Sequence, residues 1–407
     1  MTSIDGPVGA PKSPDGLSGD PLLFLIAGEP SGDLLGARLM GAMTARTGGR
    51  VRYAGVGGDL MKAEGLHSQF PMSELALMGL VEVLPHLPRL LRRIDQIATT
   101  IRRMRPDAVV TIDAPAFNFR VAAKLRGSGI PVVHYVAPSV WAWRPDRARK
   151  VARFLDHLLA LLPFEPPYFE AHGLGCTYIG HPVLETLTEP PDGQAFRRRH
   201  DLPPSAPLLC VLPGSRPGEV SRLLPVFGQT LAVLADRQPG LHAVVPTVPS
   251  VAAEVEAAAR GWAVPASVVS GQDQKLGAFA AADAALAASG TVVLELAAAG
   301  LPTIAAYRAN PVTAMMLRRL VKVRYATLVN LILDRPVVPE FLQERCTADH
   351  LVPAVEQLLS SGAARDAQRS GFQEALEELA VQGRPSDLAA AVVLDLAARS
   401  KPVVTGS

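Results

Sequence analysis

The stretch from Ala284 to Pro302 reads A-A-L-A-A-S-G-T-V-V-L-E-L-A-A-A-G-L-P and has the pattern of a strand, a tight turn and a helix. The apolar run over 282–288 predicts a central parallel strand that is covered on both faces. Thr291 is the predicted N-cap of the helix, and Gly300 followed by Pro302 is typical of a helix stop. The pattern therefore predicts a strand–turn–helix unit of an α/β fold.

Glu295 is the charged residue of this otherwise apolar helix. It follows Thr291 by four residues rather than three, so a capping box does not explain it. One interpretation is an exposed helix edge or a structural ion pair, because an unpaired buried charge is costly. The other is that Glu295 binds the two hydroxyls of a nucleotide ribose, while the N–H groups of Ser289, Gly290 and Thr291 face phosphate. We predict the second arrangement, a binding site for a donor nucleotide.

Length and composition indicate a globular chain. Its 407 residues predict two or three domains, and 48% of them are hydrophobic against 19% charged. The net charge of +2 and the few aromatic residues argue against nucleic acid as a partner. The three cysteines (Cys176, Cys210 and Cys346) are far apart and form no CxxC pair. This spacing favours a reducing compartment over a disulfide framework or a zinc site.

The N-terminal segment predicts neither export nor a membrane anchor. Residues 1–20 are rich in proline, glycine, serine and aspartate, which predicts a disordered tail. The apolar run over 22–27 is too short for a signal peptide and has no basic segment before it. No apolar run approaches the roughly 18 residues that a membrane-spanning helix needs. We therefore expect a cytoplasmic protein.

Strand-like and helix-like segments alternate along the chain in two successive series. This predicts two doubly wound α/β domains, each with a parallel sheet. The join is expected near 184–207, where proline, threonine and charged residues cluster. We predict an N-terminal domain over 21–186, a C-terminal domain over 187–380 and a final segment over 381–407. Ligands of such folds bind beyond the carboxyl ends of the strands, here in a cleft between the two halves.

Two strand-to-helix loops are candidates for binding phosphate. The loop over 28–33 has Glu29 and Asp33 at the helix start, where acidic side chains would repel a phosphate. The loop over 212–219 instead offers Gly214 for close backbone approach, the Ser215 hydroxyl and the Arg216 guanidinium. Neither loop is a P-loop or a GxGxxG motif. We predict that the second half binds a diphosphate without a metal ion or a cofactor, since the chain has no Asp-x-Asp.

Several residues of the first half are candidates for the acceptor side. Asp113 ends an apolar strand, V-V-T-I-D, and is either a turn former or a catalytic group. Asn118 either binds a sugar hydroxyl or caps the following helix. His134 fits a hydrogen-bonded core histidine better than a pocket residue, and Trp141 either shapes the pocket or packs in the core. Together with Ser31, the last three residues are the candidate acceptor pocket.

Two stretches combine leucines with arginines, which is typical of a surface that contacts anionic lipid. They are M-G-L-V-E-V-L-P-H-L-P-R-L-L-R-R-I over 78–94 and M-M-L-R-R-L-V-K-V-R over 315–324. The alternative is an amphipathic helix with a solvated basic face. Pro85 and Pro88 predict that the first stretch is a loop, not one long helix. Its basic residues are Arg89, Arg92 and Arg93.

Longer motifs extend along most of the chain. They are A-G-E-P-S-G-D (27–33), M-G-L-V-E-V-L (78–84), D-A-P-A-F-N (113–118), H-Y-V-A-P-S-V-W-A-W-R (134–144), L-P-F-E (162–165), I-G-H-P (179–182), L-P-G-S-R (212–216), S-G-T (289–291) and the segment around Asn330. With these motifs the chain resembles the lipid-A-disaccharide synthases from about Leu22 to about Ala397. Three residues depart from the family pattern: Pro30, Ala116 and Val329. Ala116 stands where an acid often accompanies Asp113.

The resemblance implies a GT-B type fold of two Rossmann-like domains, with a C-terminal helix that crosses back to the first domain. It implies transfer of 2,3-diacylglucosamine from UDP-2,3-diacylglucosamine to 2,3-diacylglucosamine 1-phosphate. The product is a β-1,6-linked disaccharide, formed with inversion and release of UDP. The resemblance also implies a peripheral protein that contacts anionic lipid on the cytoplasmic face of the inner membrane.

The resemblance also implies roles for individual residues. Asp113 and Glu29 are the candidate catalytic residues, with Asp113 as the base. Arg216 and Glu295 contact UDP, and Asn330 lines the donor site. Formation of a homodimer stays open. Two rival functions also stay open. One is a UDP-N-acetylglucosamine 2-epimerase or another transferase of the same two-domain shape, and the other is a nucleotide-sugar sensor at the membrane without turnover.

Overall fold

The computed structural model describes residues 20–75, 80–143, 146–186, 191–310 and 323–399. The predicted disordered tail lies outside these residues except for Asp20, and so does most of the basic-apolar stretch over 315–324. The chain forms two compact units. Unit 1 comprises Met1–Pro182 and Val381–Ser407, and unit 2 comprises Val183–Ala380.

Unit 1 contains a parallel sheet of seven strands in the order β3-β2-β1-β4-β5-β6-β7. The strands are β1 (Leu22–Ala27), β2 (Arg52–Val56), β3 (His67–Ser68), β4 (Ala108–Ile112), β5 (Val132–Tyr135), β6 (His157–Ala160) and β7 (Gly175–Tyr178). The helices between them are α1 (Pro30–Arg46), α2 (Asp59–Ala63), α3 (Leu80–Met104), α4 (Pro115–Leu125), α5 (Val140–Trp143), α6 (Arg147–Val151) and α7 (Pro166–Glu170).

Unit 2 repeats the arrangement with six parallel strands in the order β10-β9-β8-β11-β12-β13. The strands are β8 (Leu208–Leu212), β9 (His242–Thr247), β10 (Ala266–Ser270), β11 (Ala284–Ala288), β12 (Thr303–Tyr307) and β13 (Glu340–Leu342). The helices are α8 (Gly193–Arg199), α9 (Pro217–Arg237), α10 (Ala252–Ala259), α11 (Gln272–Ala281), α12 (Thr291–Ala298), α13 (Leu328–Leu333), α14 (Ala348–Ser360) and α15 (Gly362–Glu378). The prediction of doubly wound α/β units with parallel sheets is confirmed.

The last helix, α16 (Pro385–Arg399), packs in unit 1. Its apolar side chains, among them Val393 and Leu394, join one core cluster with Leu23 and Leu25 of β1 and with residues of α1. The opposite face of the same sheet carries Phe24 and packs against α3 and α4. Alternate β1 side chains are thus buried on both faces, which explains why this strand reads as a continuous apolar run.

The segment around Ser289 confirms the predicted strand, turn and helix, with two corrections: the strand begins at Ala284 rather than at 282, and the helix start differs. All five residues of β11 are buried, and α12 begins at Thr291. The N-cap is Gly290 and not Thr291, because the helical backbone already includes Thr291; no side chain within the described ranges caps the helix. At the other end Gly300 has φ +67°, and its N–H and that of Leu301 bond back to α12. This is a Schellman end, as Gly300 predicts.

The prediction of a loop at Pro85 and Pro88 is wrong, because both prolines lie within α3, a helix of 25 residues. A proline removes one backbone hydrogen bond and crowds the carbonyl group of residue i−4, but packing of the rest of the helix outweighs this cost. Ile94, Ile97 and Ile101 are all buried against the sheet, at helical spacing. Among the described helices, none combines the length and the hydropathy that crossing a membrane would need.

Candidate active site

In unit 1 the carboxyl ends of adjacent strands β1, β4 and β5 bring several sequence candidates to one edge of the sheet. Asp113 directly follows β4 and Glu29 follows β1, while the loop after β5 leads to Trp141. Loops at this edge of a doubly wound sheet are the usual ligand site. The geometry of these loops therefore decides what unit 1 is able to bind.

Asp113 lies in a strained loop. Asp113 and Ala114 have φ angles of 50° and 42°, and Val136 in the neighbouring loop after β5 has φ 80°. None of the three is glycine, and left-handed backbone costs an L residue roughly 1–2 kcal/mol. Such strain persists only where the surrounding structure fixes it, and it concentrates at functional sites. The Asp113 carboxylate Oδ2 accepts a hydrogen bond from the Ser31 hydroxyl at 3.4 Å.

The two acidic residues near the start of α1 have different environments. Glu29 is the extended N-cap residue of α1 and lies at the sheet edge, partly exposed. Asp33 is buried, and its carboxylate accepts hydrogen bonds from the backbone N–H groups of Gly58, Leu60 and Met61 at 2.8–3.1 Å. Asp33 therefore caps α2 while it lies in the first turn of α1, so both acids stand at the start of α1, where they would repel phosphate.

Two candidate pocket residues of unit 1 are buried. His134 is 1% exposed, and its Nδ1 lies 2.8 Å from the Thr111 hydroxyl. Burial lowers the pKa of His134 to about 3, so the imidazole is neutral at pH 7. Asn118 is fully buried, and its amide nitrogen donates to backbone carbonyl groups. His134 is thus a core histidine, the alternative favoured from sequence, and neither side chain faces solvent.

Trp141 is held by a buried carboxylate that sequence reasoning did not single out. Its indole N–H donates to Glu165 Oε1 at 3.1 Å, and the N–H groups of Leu161 and Leu162 both donate to Oε2 at 3.1 Å. Phe164 packs edge-on against the indole, with 5.1 Å between ring centroids. Glu165 therefore fixes Trp141 beside the loop after β6. The L-P-F-E motif contains Glu165 but gives no sign of its partner.

We predict that Glu165 makes the stability of the protein depend on pH. Burial raises the pKa of Glu165 from 4.5 to about 7, so the folded protein keeps a proton that the unfolded chain loses. The free energy of unfolding should therefore fall as pH rises through this window and level off above it, by on the order of 2–3 kcal/mol. Urea unfolding at pH 5 and pH 7 should show that Glu165→Gln removes this fall.

The exposed Glu170 provides the matched control, since Glu170→Gln makes the same chemical change in the same segment. It should keep the wild-type pH dependence. The prediction is wrong if Glu165→Gln and wild type lose stability equally between the two pH values.

In unit 2 the carboxyl ends of adjacent strands β8, β11 and β12 bring the predicted donor residues to one edge. Gly214 follows β8 with φ +113°, and a Cβ there would lie 2.9–3.0 Å from Glu219. Ser215 is held by the Ser250 hydroxyl, which donates to its carbonyl oxygen at 3.4 Å. Ser289 follows β11, and its hydroxyl donates to the Ala326 carbonyl oxygen at 3.2 Å. The two predicted phosphate loops thus share one sheet edge.

Arg216 is the N-cap residue of α9, and 59% of its side chain is exposed. Its Nη1 lies 3.4 Å from Glu219 Oε1, a weak pair at a surface. Glu219 is an acid in the first turn of α9, so the charge objection to the first loop applies here too. An incoming diphosphate would have to draw Arg216 away from Glu219.

Glu295 forms an ion pair, one of the two alternatives that the sequence left open, and its second oxygen leaves the other alternative, ribose binding, open. Its Oε2 accepts a hydrogen bond from Lys275 Nζ at 2.7 Å, and both side chains are about a quarter exposed. The structural ion pair is therefore present. The other oxygen, Oε1, has no hydrogen bond within the described part of the chain. Glu295 lies on the less buried stripe of α12, which also carries Thr291 and Val292.

Asn330 has different partners from those predicted. It is 1% exposed; its amide nitrogen donates to Val338 O and Glu340 Oε1, and its oxygen accepts from the N–H groups of Val337 and Val338. The nitrogen and the oxygen of this amide both already make hydrogen bonds within the protein. Direct contact of the side chain with the nucleotide-sugar donor therefore stays a prediction. The position of Asn330 in a recognised motif does not show whether it contacts the donor substrate or only holds a loop of the protein.

Glu340 is a residue that sequence reasoning missed. Its carboxylate accepts four hydrogen bonds at 2.8–2.9 Å, from the N–H groups of Ala326 and Thr327, the Thr327 hydroxyl and the Asn330 amide. Ala326 in turn accepts from Ser289. Glu340 therefore holds the segment before α13 against the Ser289 turn. No local pattern marks it, because its partners are about ten or more residues away in sequence.

Comparison with known proteins identifies the family. The family model of lipid-A-disaccharide synthetase matches residues 23–392. A lipid-A-disaccharide synthase of Rhodospirillum centenum is 57% identical over 379 residues, covering 92% of this chain and 94% of the relative. These matches cover nearly the whole of both units.

Solved structures match the fold at low identity. UDP-GlcNAc 2-epimerase from Neisseria meningitidis bound to UDP-GlcNAc has a TM-score of 0.58 at 11% identity, covering 88% of this chain and 98% of that one. The calicheamicin glycosyltransferase CalG4 has a TM-score of 0.52 at 19% identity, covering 91% and 96%. The predicted GT-B type fold is confirmed, but an epimerase and a transferase share it, so fold does not choose between them. The sequence matches do: the chain is a glycosyltransferase that belongs to the lipid-A-disaccharide synthase family.

Proposed function

We propose that the protein transfers 2,3-diacylglucosamine from UDP-2,3-diacylglucosamine to a hydroxyl of 2,3-diacylglucosamine 1-phosphate. The product would be the β-1,6-linked disaccharide 1-phosphate, formed with inversion, and UDP would leave. Family membership supports the reaction class. The structural observation that carries the proposal is Asp113, an acid held in left-handed backbone at the carboxyl end of β4. Strain of this kind at a strand end is typical of a functional site.

In the proposed reaction Asp113 is the general base. A sugar hydroxyl is a poor nucleophile at neutral pH, so its proton must be removed as it attacks. The acceptor oxygen bonds to the anomeric carbon of the donor while its proton passes to the Asp113 carboxylate. The bond from that carbon to the diphosphate oxygen breaks, and its electron pair leaves with UDP. Glu29, on the neighbouring loop after β1, is the second candidate for contact with the acceptor.

The donor is proposed to bind unit 2. Arg216 and the backbone N–H groups at the starts of α9 and α12 would stabilise the charge that develops on the leaving diphosphate. No side chain of a described residue caps either helix, so a ligand would meet no competing capping side chain from that part of the chain. Glu295 Oε1 would accept from the ribose hydroxyls. A metal ion or cofactor has no part in the proposal.

One assay tests the proposed function. The protein is incubated with both lipid monosaccharides, and the products are analysed by mass spectrometry. The disaccharide 1-phosphate and UDP should appear in equal amounts, and neither should form when the acceptor is omitted. An epimerised or hydrolysed sugar without acceptor would support an epimerase instead. UDP binding without any turnover would support a sensor.

We also propose that the protein is peripheral on the cytoplasmic face of the inner membrane. On α3, Leu91 is 45% exposed and the adjacent Arg92 is exposed. The neighbouring arginines are engaged: Arg89 and Arg93 both contact Glu74, at 3.0 and 2.9 Å. Arg92 makes no ion pair with any residue in the described ranges. It is therefore the arginine of this segment best able to meet an anionic lipid head group.

We predict that the protein sediments more with anionic vesicles than with neutral ones, and less as salt concentration rises. Arg92→Gln should weaken vesicle binding about fivefold, the scale of one basic residue at a charged surface. Replacing Arg89, Arg92 and Arg93 together should weaken it further and leave UDP affinity unchanged.

Arg46→Gln is the matched control, because it removes the same charge from an exposed position on α1, which covers the opposite face of the sheet. It should leave vesicle binding at the wild-type level. Equal sedimentation with neutral and anionic vesicles at every salt concentration would count against the membrane contact.

A further inference from the structure

Two residues link β4 to α4, and both have left-handed backbone. Asp113 has φ 50°, and Ala114 has φ 42° and ψ 54°. Aspartate tolerates this conformation because its short polar side chain bonds locally, whereas alanine gains nothing there. The direction of the Asp113 carboxylate depends on these angles. Something in the surrounding structure must therefore hold the two residues in place.

The Asn118 side chain donates hydrogen bonds to the two carbonyl groups that flank the Asp113 Cα atom. Its amide nitrogen donates to the carbonyl oxygen of Ile112 at 3.1 Å and to that of Asp113 at 2.8 Å. The carbonyl carbons of these two residues are the terminal atoms of the Asp113 φ dihedral. Fixing both carbonyl groups on one nitrogen therefore fixes that angle. The amide orientation is settled by its partners, since only N–H is able to donate to two carbonyl oxygens.

Two further contacts restrain the same loop. The Asp113 N–H donates to the Tyr135 carbonyl oxygen at 3.0 Å, in continuation of the β4–β5 ladder. Ala114 packs against Gly28, where an added Cβ would lie only 2.7 Å from the Ala114 Cβ. These contacts hold the amide of Asp113 and the position of Ala114. Only Asn118 holds the carbonyl groups on both sides of Asp113 among the described residues.

Asn118 is a poor choice for stability alone. It is fully buried, and its Oδ1 has no hydrogen-bond partner among the residues that the structure describes. A buried polar atom without a partner costs about 1–3 kcal/mol, which offsets what the two amide hydrogen bonds contribute. An apolar residue of similar shape would avoid that cost, although the carbonyl oxygens of Ile112 and Asp113 would then lose this donor. What Asn118 adds is the geometry of the Asp113 backbone.

We propose that Asn118 is a positioning residue that aims the Asp113 carboxylate and does not itself touch the acceptor. This rests on the proposed function, in which Asp113 takes the proton. It replaces the sequence prediction that Asn118 lines the acceptor pocket. A displacement of about 1 Å in a reacting group lowers the rate of the chemical step by up to about a hundredfold.

The test is a double-mutant cycle between positions 113 and 118. Asn118→Leu removes both donors and also the unpaired oxygen, but the carbonyl oxygens of Ile112 and Asp113 lose this donor. The two effects oppose each other, so the melting temperature should fall by no more than a few degrees. We expect kcat to fall about 10- to 100-fold, with KM for the acceptor and UDP affinity within twofold. In the Asp113→Asn background the same change should cost nothing more, because it acts through a carboxylate that is gone.

A merely structural role would give a different result, with equal kcat losses in both backgrounds or a rise in KM without a fall in kcat. Either result would overturn the proposal. Thr230→Val, which removes a buried hydroxyl bonded to the Val226 carbonyl oxygen in unit 2, is the control and should leave kcat unchanged. Asn118→Ala serves in the same cycle if the leucine variant does not fold.

Hydrogen exchange separates this proposal from the proposed function. In Asn118→Leu the Asp113 amide should exchange faster than in wild type, whatever reaction the protein catalyses. If wild type forms no disaccharide, the proposed function fails while the exchange result still stands. If wild type is active and exchange at Asp113 is unchanged, the positioning role fails and the proposed function stands.

Discussion

Asp113→Asn should lower kcat by about two to four decades, while UDP affinity and thermal stability barely change. Asparagine keeps the shape of the side chain and much of its hydrogen bonding, but it cannot accept the proton of the attacking hydroxyl. General-base assistance is worth typically 10²–10⁴-fold, which sets the size of the loss. The pH–rate profile should also lose its acidic limb in the mutant, since no carboxylate remains at this position to be protonated.

Asp59→Asn is the matched control for this change. Asp59 is an exposed aspartate of the same unit, paired with Lys62 at the surface, and this replacement should leave kcat and the acidic limb unchanged. If Asp113→Asn retains near-normal kcat, the base lies elsewhere. Glu29 is then the next residue to replace, because it is partly exposed on the loop after β1. His134 is too deeply buried to reach a substrate.

Strands that are buried on both faces are recognisable in the sequence, and the shortest strands at the sheet margins are not. β1, β8 and β11 are continuous apolar runs, because helices cover both sides of each sheet. β3 and β13 are two or three residues long and carry polar side chains. They form because the backbone of a neighbouring strand has unpaired hydrogen-bonding groups along its edge. No local sequence pattern indicates this. The sequence therefore predicts the strands at the centre of each sheet and the edge strand β10, but not the short edge strands β3 and β13.

The helix α3 shows the limit of reading proline as a helix breaker. Pro85 and Pro88 each remove one backbone hydrogen bond and crowd the carbonyl group of residue i−4, which by itself predicts a break in the helix. The buried isoleucines of α3 outweigh it, because tertiary packing supplies most of the stability of a protein helix. Packing partners that are distant in sequence leave no local pattern around the two prolines.

The same limit applies to the candidate site. Asp113, Arg216 and Glu295 are marked in the sequence because each breaks an apolar pattern at a strand or helix end. Glu165 and Glu340 are marked by nothing local, since each acts through hydrogen bonds to a loop that folding brings alongside. The spacing places Asn118 near Asp113 but does not show which atoms its amide contacts. Residues that position others are the class that sequence reasoning misses.

Arg216→Ala should weaken UDP binding by about 1.5–3 kcal/mol, or roughly 10- to 150-fold in Kd, the scale of a charge-assisted hydrogen bond. Arg216 is more than half exposed and only loosely paired with Glu219, so little is lost in turning it to a diphosphate. Glu219→Gln is the complementary variant. It removes a negative charge from the first turn of α9 and frees Arg216, so UDP should bind at least as tightly as to wild type.

Glu295→Ala should also weaken UDP binding, through loss of the ribose contact at Oε1. Lys275→Met separates this contact from the ion pair, because it removes the partner of Oε2 and leaves Oε1 in place. If Glu295 binds ribose, calorimetry should show a larger loss of UDP affinity for Glu295→Ala than for Lys275→Met. Equal losses would assign Glu295 to the ion pair alone. Unchanged affinity in both Arg216→Ala and Glu295→Ala would place the nucleotide elsewhere, because no other pair of side chains predicted here spans both its diphosphate and its ribose.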